Sequence, residues 1–349
     1  MCIEKLRQLC AAIEPVDEEA RTEARRRHDQ LAKPQGALGR LEELGARLAA
    51  VAGACPPPIP VNPAAVICAG DHGVHAQGVS PWPQAITRLM LENFVKGGAS
   101  ANALAEVYGA TVTVVDAGVS GESSPSTRVE RAPVQGPTKD LSLEPAMANE
   151  TCTVSLSFAS SVADDLIDKG ADVIIPGDMG IANTTSAAAL IAAYTGKTAA
   201  ETTGRGTGID DQLLKLKTEI VTKALERHGA GRDALTTLAS LGGLEHAAIT
   251  GLILTAASRR VPVIIDGVNC VAAALAAQAL QPRSVGYMVA GHRSAEPGAT
   301  VGLEHLGLEP LLDLDMRLGE GTGALTAYPL LKGAAALLNN VSTLQELGV

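Results

Sequence analysis

The stretch AAVICAGDHG (Ala64 to Gly73) decides the fold class of this chain. Its first five residues, Ala64 to Cys68, form an unbroken apolar run, which is typical of a strand covered on both faces in a parallel sheet. Asp71 and His72 follow almost at once, beside glycines. Open α/β sheets bind ligands beyond the carboxyl ends of their strands. The stretch therefore predicts a buried strand that ends near a binding site.

Four further apolar runs repeat this pattern, each followed by a glycine or a carboxylate: Val112 to Val115, Val173 to Ile175, Val263 to Ile265 and Val285 to Val289. Stretches rich in alanine and leucine lie between them and predict helices: Gln84 to Lys96, Thr184 to Tyr194, Leu213 to His228 and Val271 to Gln278. This alternation predicts an α/β fold with a doubly wound, mostly parallel sheet.

The two ends of the chain lack strand patterns and are predicted to be helical. We expect residues 1–54 and 324–349 to form a small helical lobe at the mouth of the sheet, and residues 55–323 to form the large α/β domain. The segment from Val119 to Ser142 is the most loop-like region. There is no internal repeat.

The bulk composition argues against several classes of partner. The formal net charge of the 349 residues is −10, and aromatic residues make up only 2%. A nucleic acid partner is therefore not expected, since the chain offers neither a basic surface nor stacking platforms. No apolar run approaches the roughly 20 residues that span a membrane. The first 20 residues resemble neither a secretion signal nor a transit peptide, so we expect a soluble, cytoplasmic protein.

The six cysteines have no CxxC spacing and no neighbouring histidines, so the sequence predicts no zinc site and no metal centre. We expect them to be buried free thiols: Cys2, Cys10, Cys55, Cys68, Cys152 and Cys270.

A single carboxylate stands among glycines in the segment MRLGEGTGAL (Met316 to Leu325). Glycines allow backbone angles and close approaches that other residues do not. Glu320 could thus be held against a ligand in a dry pocket, which raises the proton affinity of a carboxylate and suits a general base. The alternative is a helix C-cap followed by a surface loop.

A second glycine-rich segment, TGRGTGIDD (Thr203 to Asp211), precedes a predicted helix. Free N–H groups at a helix N-terminus can bind a phosphate, and Lys217 lies one to two turns into that helix. The segment is neither a Walker motif nor a dinucleotide fingerprint, because GxxxxGK[ST] is absent and no strand precedes it. An ordinary loop with turn glycines is the alternative.

The segment PGDMGIANTTS (Pro176 to Ser186) forms a third loop at a strand end. Asp178 could bind ribose hydroxyls or stabilise a developing positive charge. Asn183, Thr184 and Thr185 could instead simply cap the next helix. We interpret His72 as a hydrogen-bonded structural residue.

Taken together, these segments resemble the nicotinate-nucleotide–dimethylbenzimidazole phosphoribosyltransferases of cobamide assembly. The matching segments occur in order along nearly the whole chain: LAKPQGALGRLE (Leu31 to Glu42), AGDHGVHAQGVS (Ala69 to Ser80), PGDMGIANTTSAAA (Pro176 to Ala189), GRGTGIDD (Gly204 to Asp211), GHRSAEPGA (Gly291 to Ala299) and LDLDMRLGEGTGALTAYPLL (Leu312 to Leu331).

The resemblance implies transfer of a 5-phosphoribosyl group from nicotinate mononucleotide to an aromatic base, with inversion to the α-riboside phosphate and without a metal or cofactor. It makes Glu320 the general base and implies a dimer with two equivalent sites. Asp178 stands where the family more often has a glutamate. The implied nucleotide site comprises Asp178, Met179, Gly180, Asn183, Thr184, Gly204, Arg205, Gly206, Thr207, Gly208, Lys217, Ser294, Gly319 and Gly321.

The implied acceptor pocket departs from the family pattern. It comprises Ser80, Pro81, Trp82, Pro83, Met90 and Leu318. Pro81 removes a backbone N–H, and some relatives have glutamine in place of Met90. Such changes suit an acceptor whose hydrogen-bond pattern differs from that of benzimidazole. The chain resembles the catalytic subunit of heterodimeric enzymes that activate phenol or p-cresol. We favour a phenolic acceptor, with dimethylbenzimidazole and neutral drift of the pocket rim as the alternative.

Three other functions are compatible with parts of the pattern. A non-catalytic paralogue would serve only as a dimer partner, but it would have no need for Glu320, both glycine loops and Lys217. A dinucleotide-dependent oxidoreductase would need a strand–GxGxxG–helix unit. A small-molecule binding protein of the same fold would bind the nucleotide without turnover.

Overall fold

Parallel strands form the central sheet of the protein. The computed structural model describes residues 3–121, 126–229 and 231–348. The sheet contains β1 (Pro63–Gly70), β2 (Thr111–Gly118), β3 (Val129–Arg131), β4 (Val173–Met179), β5 (Val263–Ile265) and β6 (Met288–Ala290). Their order is β3-β2-β1-β4-β5-β6, and every neighbouring pair is parallel. The predicted doubly wound α/β fold is confirmed.

Helices precede, connect and follow these strands. They are α1 (Ile3–Ala11), α2 (Glu18–Gln30), α3 (Arg40–Ala52), α4 (Ala85–Lys96), α5 (Ser100–Tyr108), α6 (Asn149–Asp168), α7 (Asn183–Thr195), α8 (Ala199–Thr202), α9 (Asp211–His228), α10 (Ala234–Leu241), α11 (Leu244–Ser258), α12 (Val268–Leu280), α13 (Pro297–Leu306) and α14 (Thr322–Asn340). Two short strands, β7 (His292–Arg293) and β8 (Leu312–Asp313), pair in parallel beside the sheet. The four predicted helical stretches lie within these helices, apart from Gln84, which is the N-cap residue of α4.

Both faces of the sheet are covered, as the unbroken apolar runs predict. All eight residues of β1 are buried. Val66 and Cys68 pack in one core with α6, α7, α11 and α12. Ala65 and Ile67, the alternate residues, pack in the other core with α3, α4, α5 and α14. A strand alternates its side chains between two faces, and here both faces meet helices.

The predicted strand from Val285 to Val289 is wrong over its first half. A 3-10 helix occupies Pro282–Tyr287, and β6 begins only at Met288. Proline is suited to the first turn of a helix because its φ is already set. The side chain of Gln281 also caps the turn by accepting a hydrogen bond from the N–H of Arg283.

The loop-like segment from Val119 to Ser142 contains one strand that the sequence prediction missed. Val129–Arg131 forms β3, which pairs with β2 at the edge of the sheet. Three residues are too few for an apolar pattern to stand out. Residues 122–125 of this segment lie outside the described ranges.

The two ends of the chain pack against each other. Leu338 of α14 shares a small core with Ala24 of α2 and with Ala46 and Ala49 of α3. The first half of α14 also packs on the sheet, where Leu325 joins the core of β1 and β4. The predicted boundary between residues 323 and 324 lies inside α14. The division into a large domain and a helical lobe stays a prediction.

The cysteines within the described ranges are free thiols, as expected. Three of them are buried and two, Cys10 and Cys55, are half-buried; the buried ones are Cys68, Cys152 and Cys270. Cys2 lies outside the described ranges. Among the helices that are described, none combines the length and the apolar character needed to cross a bilayer.

Helices α6 and α11 approach closely at Gly251, which yields the first prediction. A Cβ at position 251 would overlap the carbonyl oxygen of Leu156. We expect Gly251→Ala to push the two helices apart and to lower the free energy of unfolding by about 1–3 kcal/mol. Gly333 of α14 has open space around it, so Gly333→Ala should stabilise the helix by about 0.5–1 kcal/mol. Urea unfolding of both variants measures the two changes in the free energy of unfolding. An equal change in the two variants would contradict the prediction.

Candidate functional site

A cleft opens beyond the carboxyl ends of β1 and β4, where the strand order reverses. Chain connections leave β1 and β4 in opposite directions along the sheet, which leaves a crevice between the two strand ends. The cleft holds about 800 Å³, including space open to solvent. Its lining residues are Val79, Ser80, Asp178, Met179, Gly180, Ile181, Ala182, Asn183, Thr184, Arg205, Gly206, Thr207, Ile209, Lys217, Gly267, Val268, Asn269, Ser294, Glu296, Arg317, Leu318 and Gly319.

Glu320 lies in a left-handed turn beside this cleft. Three consecutive residues have positive φ: Gly319 (84°), Glu320 (60°) and Gly321 (75°). Positive φ is costly for glutamate, and such strain is typical of functional sites. Gly319 must also lack a side chain, because a Cβ there would lie 3.1 Å from Oδ1 of Asp178. The turn thus brings the backbone beside Glu320 against the carboxylate of Asp178.

The carboxylate of Asp266, just after β5, holds this turn in place. It accepts hydrogen bonds from the N–H groups of Gly321 at 3.2 Å, Gly323 at 2.8 Å and Ala324 at 3.0 Å. These N–H groups lie at the N-terminal end of α14. The first N–H groups of a helix have no acceptor within the helix itself. A carboxylate at a helix N-terminus is also favoured by the helix dipole. The alternative of a C-cap and a surface loop is wrong.

The carboxylate of Glu320 is buried, with 5% of the residue exposed. Its Oε2 accepts one hydrogen bond, from the N–H of Ala101 at 3.3 Å. Burial raises the pKa of Glu320, and the nearby negative charge of Asp266 raises it further. A carboxylate with raised proton affinity is what a general base requires.

Asp178, at the end of β4, is held by two amides. Its Oδ2 accepts hydrogen bonds from Nδ2 of Asn183 at 2.8 Å and from Nδ2 of Asn269 at 2.7 Å. Its Oδ1 is buried, and none of the described residues hydrogen-bonds to it. Burial raises the pKa of Asp178 to about 7, with Asp266 adding to the effect. Its unpartnered oxygen is therefore available to a ligand.

The predicted caps of α7 serve other purposes. The N-cap residue of α7 is Ala182, which has no capping side chain. Asn183 binds Asp178, and Oγ1 of Thr184 accepts a hydrogen bond from Nζ of Lys217 at 2.7 Å. The capping interpretation of Asn183 and Thr184 is wrong because both side chains point into the site.

Lys217 reaches the glycine-rich loop from α9, as its position in the sequence predicts. Its Nζ also donates to the carbonyl oxygen of Gly204 at 3.0 Å, and the residue is 2% exposed. Burial lowers the pKa of Lys217 to about 8, although Glu296 opposes this. A bound anion beside Lys217 would therefore stabilise its protonated form.

Glu296 was not predicted as a site residue, yet it organises the glycine-rich loop. Its Oε1 accepts a hydrogen bond from the N–H of Gly206 at 2.7 Å. The guanidinium of Arg205 binds the carbonyl oxygen of Ile209 and the carboxylate of Asp211. Within the described ranges, the N–H of Thr207 has no acceptor. That N–H and Lys217 are two donors available to an anion at this loop.

The predicted acceptor residues lie at the rim of the cleft or beyond it. Ser80 and Leu318 line it. Pro81, Trp82 and Pro83 are exposed, and Nε1 of Trp82 donates to Oγ1 of Thr207 at 3.1 Å. Met90 is half-buried on α4 and packs in the core.

Most predicted nucleotide residues line the cleft. Of all the predicted site residues, those that do not line it directly are Gly204, Gly208, Glu320, Gly321, Pro81, Trp82, Pro83 and Met90. Sequence reasoning missed Asn269, Glu296 and Arg317. Each lies close to a segment that was singled out: Asn269 follows the strand-end pair Asp266 and Gly267, and the other two lie within the GHRSAEPGA and MRLGEGTGAL segments.

Among the described residues, two groups of side chains that could bind a metal come together in the structure. One consists of Asp178, Asp266 and Cys270. Burial raises the pKa of the Cys270 thiol well above its ordinary value, so it stays protonated and is a poor ligand. The other group consists of His72, Glu245 and His246. His72 donates or accepts within a buried hydrogen-bond network, as expected.

A family model described as phosphoribosyltransferase matches residues 13–349. The chain belongs to this family. A nicotinate-nucleotide–dimethylbenzimidazole phosphoribosyltransferase of Salinispora tropica is 50% identical over 99% of both chains. The crystal structure of the enzyme of that name from Thermus thermophilus is 43% identical, with a TM-score of 0.91 over 95% of this chain and 99% of that one. A second Thermus thermophilus structure, titled CobT, is 44% identical with a TM-score of 0.92 and the same coverage.

Membership of this phosphoribosyltransferase family confirms the resemblance. The hypothesis of a dinucleotide-dependent oxidoreductase is excluded by it. The relatives match along almost their whole length, so the cleft, the Glu320 turn and the glycine-rich loop all lie within the shared region.

Proposed function

We propose that the protein transfers the 5-phosphoribosyl group of nicotinate mononucleotide to an aromatic base and forms an α-riboside phosphate for cobamide assembly. The observation that carries this proposal is the arrangement of the cleft. Lys217 supplies a buried cation at one part of it, Asp178 supplies a carboxylate at another, and the turn that carries Glu320 lies beside Asp178. A phosphorylated ribose has an anionic end and a hydroxylated ring, which match these two parts.

In this mechanism the protein mainly positions the reactants. Lys217 and the N–H of Thr207 bind the 5′-phosphate, and Oδ1 of Asp178 accepts a hydrogen bond from a ribose hydroxyl. Nicotinate leaves as a neutral pyridine ring, because the cationic ring of the nucleotide takes the electron pair of the breaking glycosidic bond. The acceptor attacks the anomeric carbon from the opposite face, which inverts its configuration. Alignment of this kind accounts for much of enzymatic rate enhancement.

Glu320 accepts the proton that the acceptor loses as the new bond forms. Its raised pKa suits this task, because a carboxylate in a dry site is a stronger base than one in water. The hydrogen bond from Ala101 keeps the carboxylate in one orientation.

We expect Glu320→Gln to reduce turnover by roughly 10²–10⁴, the range for a lost general base, with little change in nucleotide affinity. The amide keeps the shape of the side chain but cannot take the proton. Steady-state assays of nicotinate release, with nucleotide binding by calorimetry, measure the two effects. Glu106→Gln, on the exposed side of α5, is the matched control. Turnover near that of the unmodified protein would remove Glu320 from the mechanism.

We expect Lys217→Ala to raise the KM for nicotinate mononucleotide by roughly 10- to 100-fold, since hydrogen bonds to charged groups contribute about 1.5–3 kcal/mol. Lys223, exposed on the same helix, provides the control Lys223→Ala. Because the pKa of Lys217 is about 8, the lysine is protonated below that pH and loses its charge above it. Accordingly, kcat/KM should fall as the pH rises through about 8 in the unmodified protein, and this limb should vanish in Lys217→Ala. An unchanged pH profile would contradict the assignment.

The acceptor is the finer part of the proposal. The names of the relatives support dimethylbenzimidazole. The sequence Ser80-Pro81-Trp82-Pro83 supports a phenolic acceptor, and this remains the second candidate. In the test, the protein receives nicotinate mononucleotide with equal concentrations of dimethylbenzimidazole and phenol. Mass spectrometry then separates and quantifies the two products. We expect Pro81→Ala to shift the product ratio toward dimethylbenzimidazole if Pro81 sets the preference, whereas an unchanged ratio would make Pro81 neutral.

The assembly and location of the protein stay predictions. A dimer, either of two copies or with a paralogue, follows from the resemblance, and a place in the cytoplasm is the expectation stated above from the sequence. A non-catalytic paralogous subunit would retain the fold but would release no nicotinate in the assay above, either alone or in a homodimer. Retention of Asp178 and Lys217 in the cleft, with Glu320 in the turn beside it, supports the catalytic alternative.

A further inference from the structure

The segment from Ser80 to Gln84, which we call the strap, connects the predicted acceptor residues with the glycine-rich loop. Its central residue, Trp82, is the one tryptophan of the chain. Ser80 and Thr207 both line the cleft, and Trp82 bonds to each of them. The indole Nε1 donates to Oγ1 of Thr207 at 3.1 Å, and the backbone N–H donates to Oγ of Ser80 at 3.3 Å. Trp82 therefore links two segments of the cleft wall that are distant in sequence.

Two prolines make the strap stiff. Pro81 and Pro83 flank Trp82. Each proline fixes its own φ and restricts the residue before it to extended conformations. The backbone of Trp82 thus has little conformational entropy to lose when its indole is held in one position. A half-exposed aromatic side chain on a stiff segment is well suited to carry a positional constraint from one loop to another.

The strap is anchored to the end of β1. Nε2 of Gln84 donates to the carbonyl oxygen of His72 at 3.1 Å, and His72, two residues beyond β1, is fully buried. The carbonyl oxygen of Trp82 lies 2.9 Å from Nε2 of His75, whose N–H can donate to it. These contacts fix the backbone of the strap to the sheet, while its indole reaches the opposite loop.

The glycine-rich loop has its own support at Gly206. The N–H of Gly206 donates to Oε1 of Glu296 at 2.7 Å, and its carbonyl oxygen accepts a hydrogen bond from Nη1 of Arg317 at 3.3 Å. Gly206 and Gly208 have positive φ angles of 54° and 102°, which glycine adopts without strain. The loop is therefore held just before Thr207 and turns sharply on both sides of it.

Thr207 itself is not held by its own loop. Across the parts of the chain that the structure describes, its N–H has no acceptor, and Trp82 is the one residue that hydrogen-bonds to its side chain. In the proposed reaction this N–H binds the 5′-phosphate. The residue that offers a donor to the nucleotide is thus steadied by a residue of the acceptor segment.

We propose that Trp82 is a positioning residue that couples the two substrate sites: a phosphate on the N–H of Thr207 steadies the strap, and the strap holds Ser80 at the acceptor site. A bound phosphate immobilises Thr207, so its hydroxyl becomes a fixed acceptor for the indole N–H. The nucleotide then favours binding of the aromatic base, and the base favours the nucleotide by the same factor, since such coupling is reciprocal. This inference rests on the proposed function, which supplies the two ligands.

The test measures how far ribose 5-phosphate, which has no nicotinate to lose, strengthens the binding of dimethylbenzimidazole, with phenol titrated in parallel. Calorimetry without and with saturating ribose 5-phosphate gives the ratio of the two dissociation constants. We expect a ratio of roughly 3 to 10 in the unmodified protein, the size that one neutral hydrogen bond supports. In Thr207→Val, which loses the hydroxyl and keeps the backbone N–H, the ratio should fall to about 1. Thr222→Val, exposed on α9, is the matched control and should keep the full ratio.

A second variant isolates the same hydrogen bond from the other side. Trp82→Phe keeps an aromatic ring but lacks the N–H, so it should also abolish the coupling. Combined with Thr207→Val it should cost no more than either change alone, because both remove one interaction. The fluorescence of the unmodified protein reports on the strap directly, since Trp82 is its one tryptophan. We expect ribose 5-phosphate to reduce the quenching of this fluorescence by acrylamide, and to have no such effect in Thr207→Val.

The outcomes separate this inference from the proposed function. If the unmodified protein releases nicotinate but its coupling ratio is near that of Thr207→Val, Trp82 is merely structural and the inference fails alone. If the protein neither binds ribose 5-phosphate nor releases nicotinate, the proposed function fails and the inference fails with it. Circular dichroism checks the folding of each variant. If Thr207→Val does not fold, the coupling ratio of Trp82→Phe decides, and a full ratio there would overturn the proposal.

Discussion

The hydrogen bonds from the backbone of the Glu320 turn to the carboxylate of Asp266 are the interaction on which the site depends. Asp266 lies at the end of a buried strand, so its position is as rigid as the sheet. Three N–H groups from the start of α14 bind to it. They stabilise a turn with three consecutive positive φ angles that only such external support would maintain. Without this anchor, Glu320 would have no defined position relative to Asp178.

The same arrangement concentrates negative charge. Lys217 is a buried cation in another part of the cleft, near the carboxylate of Glu296. Burial raises the pKa of Asp178 and of Glu320, and the negative charge of Asp266 raises both further. Carboxylates in such surroundings gain proton affinity. The burial and the like charges that destabilise the ionised carboxylates thus also make them stronger bases.

Prediction from the sequence succeeded where a local pattern has one physical meaning. Unbroken apolar runs indicated buried parallel strands, and a glycine-flanked glutamate indicated a tight turn. The prediction failed at Val285 to Tyr287, which complete a 3-10 helix that begins at Pro282, and at β3, which is too short to show a pattern. The sequence left open whether Asn183 caps a helix or belongs to the site, because the same side chain suits a helix end and a carboxylate partner. Only the structure distinguishes the two.

The sequence by itself determined the fold class, the strand ends that carry Asp71, Asp178 and Asp266, and the resemblance that led to the family, because these depend on neighbours along the chain. The tertiary structure alone decided which of these residues meet. Asn269 and Glu296 enter the site from separate elements. The proton affinities of the carboxylates in the site depend on burial and on charges brought together from distant parts of the chain. No pattern along the sequence encodes those distances, so the chemistry of the site becomes visible only in the folded protein.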